Sequence, residues 1–235
     1  MVVEAPRVDV AANLLRVMET IESTSLRCGR RPEDVTLVAV SKTQPVGVMQ
    51  AAFEAGVRHF GENRVQEAAE KIDQIASSRR ITWHLIGTLQ SNKVGRALDL
   101  FNMIHSIDCE RLAVELSNRN TSDRRVPVLL QVNIAGESTK HGLSVEEAPD
   151  AARRIARLPG LALLGLMAIA PLNHDPEASR PWFRALRRLR DRLADEIVEC
   201  DWRHLSMGMS HDYPVAIEEG ATLLRVGSAI FGPRA

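Results

Sequence analysis

Scarcity narrows this 235-residue sequence before any motif does. Its three cysteines, Cys28, Cys109 and Cys200, are widely spaced, odd in number and form no CxxC pair, which excludes a disulfide framework and points to a reducing compartment. Neither sign of charge is in excess. Thirty basic residues balance 30 acidic ones, so nothing argues for bulk attraction to nucleic acid or an acidic membrane. No uncharged apolar stretch reaches membrane-spanning length, and residues 1–6 lack a basic segment followed by an apolar one, so a soluble cytoplasmic protein is expected. The seven histidines show no HxH or HExxH spacing; they read as core or rim groups, and no metal is expected. No Gly/Ser/Pro-rich linker breaks the chain, so residues 1–235 read as one domain.

What is present is a repeat. A hydrophobic fraction of 45% permits a full core. An amphipathic helix over residues 8–27 comes first, with Val10, Leu14, Val17, Met18 and Ile21 at helical spacing. Eight apolar runs follow, at 35–42, 58–61, 83–86, 103–107, 128–134, 161–169, 204–207 and 223–226. Helices are predicted between them at 46–55, 65–76, from the 87–91 turn to 101, at 109–118 with Asp108 as cap, from Ser144 with Glu147 completing a capping box, at 176–200 and at 213–219. Connections short enough for right-handed crossovers predict an α/β fold, a single-domain (β/α)8 TIM barrel with an extra N-terminal helix. An open doubly wound sheet is the alternative.

The chemistry gathers at the ends of the runs. Alternation puts Thr36, Val38, Val40 and Lys42 on one face, so Lys42 emerges at the carboxyl-end rim where α/β proteins bind ligands. A lysine held partly out of water there offers a neutral amine for Schiff-base chemistry, while a solvated strand end is the plain alternative. Ser206-Met207-Gly208-Met209-Ser210 and Gly227-Ser228 stand in the two loops where barrels commonly bind phosphate; otherwise their glycines simply make tight turns. Leu223, Arg225 and Gly227 share a face. Arg225 then needs an acceptor, either the ring nitrogen of pyridoxal 5′-phosphate or a carboxylate such as Glu218 or Glu219. Glu62-Asn63 offers an acceptor and an amide near a ligand, or only a turn. Lys140, in the 135–142 loop, is a second cation for a phosphate or a solvated lysine.

Taken together, Val40-Ser41-Lys42, Phe60-Gly61-Glu62-Asn63, the segment 83–93, Leu205-Ser206-Met207-Gly208-Met209-Ser210 and the segment 225–232 resemble the pyridoxal phosphate homeostasis protein family. The resemblance implies a barrel like the N-terminal domain of alanine racemase. It implies pyridoxal phosphate (PLP) on Lys42, phosphate contacts from Ser206, Gly227 and Ser228, a ring-nitrogen contact from Arg225 and Lys140 as an auxiliary lysine; Asn63, from its place at the rim, is the further candidate beside the cofactor. Arg64 stands where many relatives carry tyrosine, which puts any aromatic contact there in doubt. The function implied is intracellular vitamin B6 homeostasis: a monomer that holds PLP reversibly as a Schiff base, affects its supply to PLP-dependent apoenzymes, and has no catalytic residue and no substantial catalytic activity. The alternative is a weak PLP-dependent amino-acid racemase. That reaction needs an acid/base on each face of the substrate, and in the racemase the second is a tyrosine of an additional β-domain and neighbouring subunit; here the only tyrosine is Tyr213. A Schiff-base aldolase acting on a sugar phosphate is a third reading, which leaves Arg225 without a partner.

Overall fold

A computed structural model describes residues 8–75, 80–137 and 139–233. Ala76, the expected end of one helix, and Ser138 of the fifth loop lie outside them. Eight parallel strands close into a barrel in sequence order: β1 Thr36–Val40, β2 His59–Glu62, β3 Thr82–Leu85, β4 Met103–Ile107, β5 Val126–Gln131, β6 Leu161–Met167, β7 His204–Ser206 and β8 Leu223–Val226. β8 pairs with β1 from Thr36↔Leu223 to Ala39↔Val226, which removes the open-sheet alternative. The helices are α1 Val10–Arg27, α2 Val46–Glu54, α3 Val65–Gln74, α4 Val94–Leu100, α5 Glu110–Arg119, α6 Ala148–Ala156, α7 Arg180–Glu196, α8 Tyr213–Glu218 and α9 Ser228–Phe231. Among the described residues, no helix is long and apolar enough to cross a membrane.

Strand alternation divides the core in two. Val38, Met103, Leu129, Met167 and Leu223 fill part of the barrel interior. The opposite strand faces meet the helices in a larger cluster that includes Ala39, Phe60, Leu85, Ile104, Leu130 and Leu205. Gly165 shows how tightly the barrel closes. It sits at φ 146° beside a register shift between β5 and β6, and a Cβ there would lie 1.9 Å from the His204 carbonyl oxygen. α1 buries Val10, Leu14, Val17 and Ile21 against α2, α8 and α9, and the Asn13 amide donates to the Ile230 carbonyl at 2.9 Å.

Several boundaries differ from the sequence reading for local reasons. Asp108 does not cap α5, whose N-cap is Cys109 without a side-chain bond; its carboxylate instead lies 3.7 Å from His141 Nδ1 in the neighbouring loop. The Ser144–Glu147 box forms, with bonds of 3.0 and 3.1 Å, but it closes a turn ahead of α6, which begins at Ala148. α7 stops at Glu196 because Ile197 leaves helical geometry, buries its side chain and accepts the Trp202 indole N–H at 3.0 Å. α9 was hidden in what reads as a phosphate-binding loop.

Candidate functional site

Lys42 follows β1 at the carboxyl end of the barrel and is half-buried. Both of its neighbours are anchored. The Lys71 ammonium, buried on the inner face of α3, donates to the Ser41 carbonyl at 2.7 Å, to Glu62 Oε1 at 2.8 Å and to Glu67 Oε1 at 2.6 Å, which uses all its donors. Ser41 Oγ donates to Glu62 at 2.6 Å, and Glu67 accepts the Thr43 N–H at 2.5 Å. Thr43 sits at φ 63°, a left-handed conformation that costs a β-branched residue about 1 kcal/mol or more. The strap around Lys71 holds that turn, so the chain presents Lys42 from a fixed backbone. Burial raises the Glu62 carboxyl above its ordinary range despite Lys71 and Ser41. At Glu67 burial pushes upward too, but the bonds from Lys71 and the Thr43 N–H carry the group below its usual value. Glu62 therefore does not reach the mouth: it turns away from the barrel interior toward α3.

Arg225 enters the interior from β8 and is buried. Its Nη1 donates to Ser206 Oγ at 2.6 Å and its Nη2 to the Ala168 carbonyl at 2.9 Å, and burial lowers its pKa to about 10. The glutamates considered as its partners are engaged elsewhere: Glu218 with Arg27 and Arg180 at 2.8 and 2.6 Å, Glu219 with Arg180 and Arg184 at 3.1 and 2.9 Å. Ser206 Oγ also contacts His105 Nδ1 at 2.9 Å, so its hydroxyl belongs to the interior.

The turn after β8 is braced by the loop after β7. Ser210 Oγ accepts the N–H groups of Gly227 and Ala229 at 3.1 and 3.2 Å, while Asp212 accepts the Met209 N–H at 2.7 Å and the Ser179 hydroxyl at 2.9 Å. Ser228 is exposed at the start of α9. Across the mouth, Asn63, Gly87, Asn133, Lys140 and Ile169 line a cavity of about 230 Å³. Asn63 reaches it because residue 87 is glycine: a Cβ there would lie 2.4 Å from the Asn63 carbonyl oxygen. The Asn63 Oδ1 is buried and has no hydrogen-bond partner among the described residues. Lys140 is ion-paired with Glu137 at 2.7 Å and donates to the Ala170 carbonyl at 3.2 Å. Arg64 is the exposed N-cap of α3.

The barrel thus brings Lys42, Asn63, Ser206, Arg225 and Gly227-Ser228 to its carboxyl-end half, on β1, β2, β7 and β8 or the turns that follow them. It adds residues that the sequence reading did not assign. Ser210 lay inside a quoted motif but had no role. Lys71 carried a usable signal, since it falls with Val65, Ala68 and Ile75 on the buried side of α3, where a lysine needs partners.

The family described as "Alanine racemase, N-terminal domain" matches residues 17–235. The pyridoxal phosphate homeostasis protein of Aquifex aeolicus is 42% identical over 222 residues, 94% of this chain and 96% of that protein. The protein of the same name from Escherichia coli K12 is 41% identical over 233 residues, 96% of this chain and 97% of that one. The structure of PipY of Synechococcus elongatus with PLP bound superposes with a TM-score of 0.82 at 36% identity, covering 95% of this chain and all of that chain (100%). Alanine racemase of Corynebacterium glutamicum shares the fold, with a TM-score of 0.69 at 16% identity over 97% of this chain but 62% of its own.

Proposed function

Because this chain belongs to the alanine racemase N-terminal domain family, and within it to the pyridoxal phosphate homeostasis proteins, we propose that it binds PLP reversibly as a Schiff base on Lys42 and serves vitamin B6 homeostasis in the cytoplasm. The observation that carries this reading is the pairing of Lys42, on an anchored turn, with a buried Arg225 that lacks a carboxylate partner among the described residues. The Asn63 Oδ1, buried beside the mouth cavity without a partner among the described residues, fits a site that expects a polar ligand.

When bound, the cofactor supplies an aldehyde that condenses with a primary amine and a pyridine ring that can delocalise charge. The protein's part is to hold it. Lys42 supplies the amine; Gly227 and Ser228 form the phosphate side, with Ser210 setting the Gly227 turn, while the Ser206 hydroxyl, expected from the sequence to contact the phosphate, is committed to Arg225 and His105. Arg225 offers the ring nitrogen N–H donors that the guanidinium does not surrender, which keeps that nitrogen unprotonated and weakens the ring as an electron sink. Tyr213 supports the same reading, since the only tyrosine of the sequence is buried at the start of α8 and does not line the mouth cavity. We therefore read a monomeric carrier without substantial catalytic activity, from which cofactor reaches PLP-dependent apoenzymes.

The test is direct. The protein is loaded with PLP, its absorption recorded, the complex reduced with borohydride and the adduct located by peptide mass spectrometry, with Lys42→Ala in parallel. A visible band and a pyridoxyl group on Lys42, both lost in the variant, are expected. Absence of both in the intact protein overturns the reading, and substantial alanine racemisation by the loaded protein overturns its non-catalytic part.

A further inference from the structure

A string of polar side chains crosses the barrel interior below the mouth. His59 Nδ1 lies 3.0 Å from His84 Nε2, His84 Nδ1 lies 2.9 Å from His105 Nε2, and His105 Nδ1 lies 2.9 Å from Ser206 Oγ. Arg225 Nη1 closes the string on Ser206. His84 and His105 are buried, and His59 is half-buried beside a cavity of about 390 Å³ lined also by Leu14, Thr36 and Ala55. Nothing in the cofactor reading uses these rings.

The direction of every bond follows from one end. A guanidinium only donates, so Ser206 Oγ accepts from Arg225, and since the buried hydroxyl has no other acceptor in reach among the described residues, its single hydrogen goes to His105 Nδ1. His105 then carries its proton on Nε2 and donates to His84 Nδ1. His84 likewise donates from Nε2 to His59 Nδ1, which leaves the His59 proton on its own Nε2. Burial pushes His84 down to about 3 and His105 well below its ordinary value, so both rings are neutral as the string requires. The group dipoles therefore align head to tail with their negative ends toward Arg225. Asp212, the acid that most supports the guanidinium's charge, is itself bonded to Met209 and Ser179.

We propose that His59, His84 and His105 are positioning residues, forming a one-way hydrogen-bond relay that commits Ser206 as acceptor and thereby fixes a charged, carboxylate-free Arg225 for a neutral aromatic nitrogen base. A carboxylate in the relay's place would offset the arginine's charge and compete with the ring nitrogen for the guanidinium's donors. Neutral imidazoles orient the guanidinium and do neither. The ligand half of this inference rests on the PLP reading; the relay itself does not.

Two measurements test it separately. In the ligand-free protein with labelled histidines, long-range nitrogen–proton NMR at neutral pH should show His59, His84 and His105 as neutral Nε2–H tautomers, and Ser206→Ala should introduce the Nδ1–H form at His105. An Nδ1–H or cationic ring in the unmodified protein at any of the three positions overturns the relay. In the PLP-loaded protein, His105→Leu should weaken PLP binding about tenfold, as expected for one hydrogen bond lost from the network that orients the guanidinium, and shift its absorption maximum, with His105→Gln restoring part of both. A folded His105→Leu protein with unchanged affinity and spectrum overturns the positioning role, because a merely structural histidine lowers stability alone. If His105→Leu does not fold, His59→Phe at the far end of the string takes its place: because the string is directed from its Arg225 end, His84 should keep its Nε2–H tautomer, and a switch to Nδ1–H overturns the relay. A protein that shows the three tautomers but takes up no PLP keeps the relay and loses the cofactor reading.

Discussion

A lysine that must react has to be held by something other than itself, and here the holding falls to its neighbours. Lys71 bonds one side of the Lys42 turn and, through Glu67, fixes the other. Replacing Lys71 by Met would leave Glu62 buried without its cation, and breaking a buried pair costs about 3–5 kcal/mol. Urea denaturation of Lys71→Met should show a loss of that size, and the loaded variant should release PLP faster than the parent on dilution. Glu67→Gln, which keeps an acceptor for Thr43, should lose less on both measures. The legibility of single residues divides along the same line. Arg225 could be placed from strand parity because it lies on the interior face that alternation predicts, while Lys42 could be placed in the turn that follows β1. The Glu62 side chain follows parity as well, but its partner is 9 residues away on another element, and only the packing of α3 onto β2 brings the two together.

At the scale of elements, backbone approach decides what each strand tolerates. Gly165→Ala would drive a methyl group into the His204 carbonyl where β6 passes β7. That variant should accumulate as insoluble or unfolded chain, read by circular dichroism of whatever is soluble. Gly95 in α4 faces open space, with no atom within 4 Å of where a Cβ would stand. Gly95→Ala should therefore raise stability by about 0.5–1 kcal/mol through helix propensity alone, measured as a higher urea midpoint with unchanged slope. All eight strands could be read from apolar runs and turn residues, and β4 and β8 match to the residue. The ends of α6 and α7 could not, because a capping box without its helix and an isoleucine drawn into the core are decided by packing. α9 escaped because four residues carry too little periodicity to distinguish a helical turn from a loop.

At the scale of the whole molecule, the interior histidines set the acid limit. His84 is lowered to about 3, His204 to about 4, and His59 and His105 lie below 6.5, all mainly through burial. The unfolded chain binds protons at these sites as pH falls below about 6.5, while the folded chain does not until the lowered values are reached. Stability is therefore full above that pH and is lost as pH falls toward 4, by up to about 1.4 kcal/mol per pH unit for each histidine. Urea midpoints between pH 7.5 and 4.5 should trace the fall, and His204→Asn should flatten it; an unchanged slope in that variant would contradict the assignment of His204. The barrel was readable because eight runs repeat. The histidine string was not, since its members lie on β2, β3 and β4 with no fixed spacing and meet only when those strands pair, and Ser206 joins them only when the barrel closes.

The extra helix acquires a different standing from the Asn13–Ile230 bond. α1 precedes the repeat and packs on α9, which follows the turn of Gly227 and Ser228. A bond joining positions 217 residues apart makes α1 the buttress behind that turn. The turn of Gly227 and Ser228 therefore leans on a contact of long range, and it settles only once α1 and α9 have met.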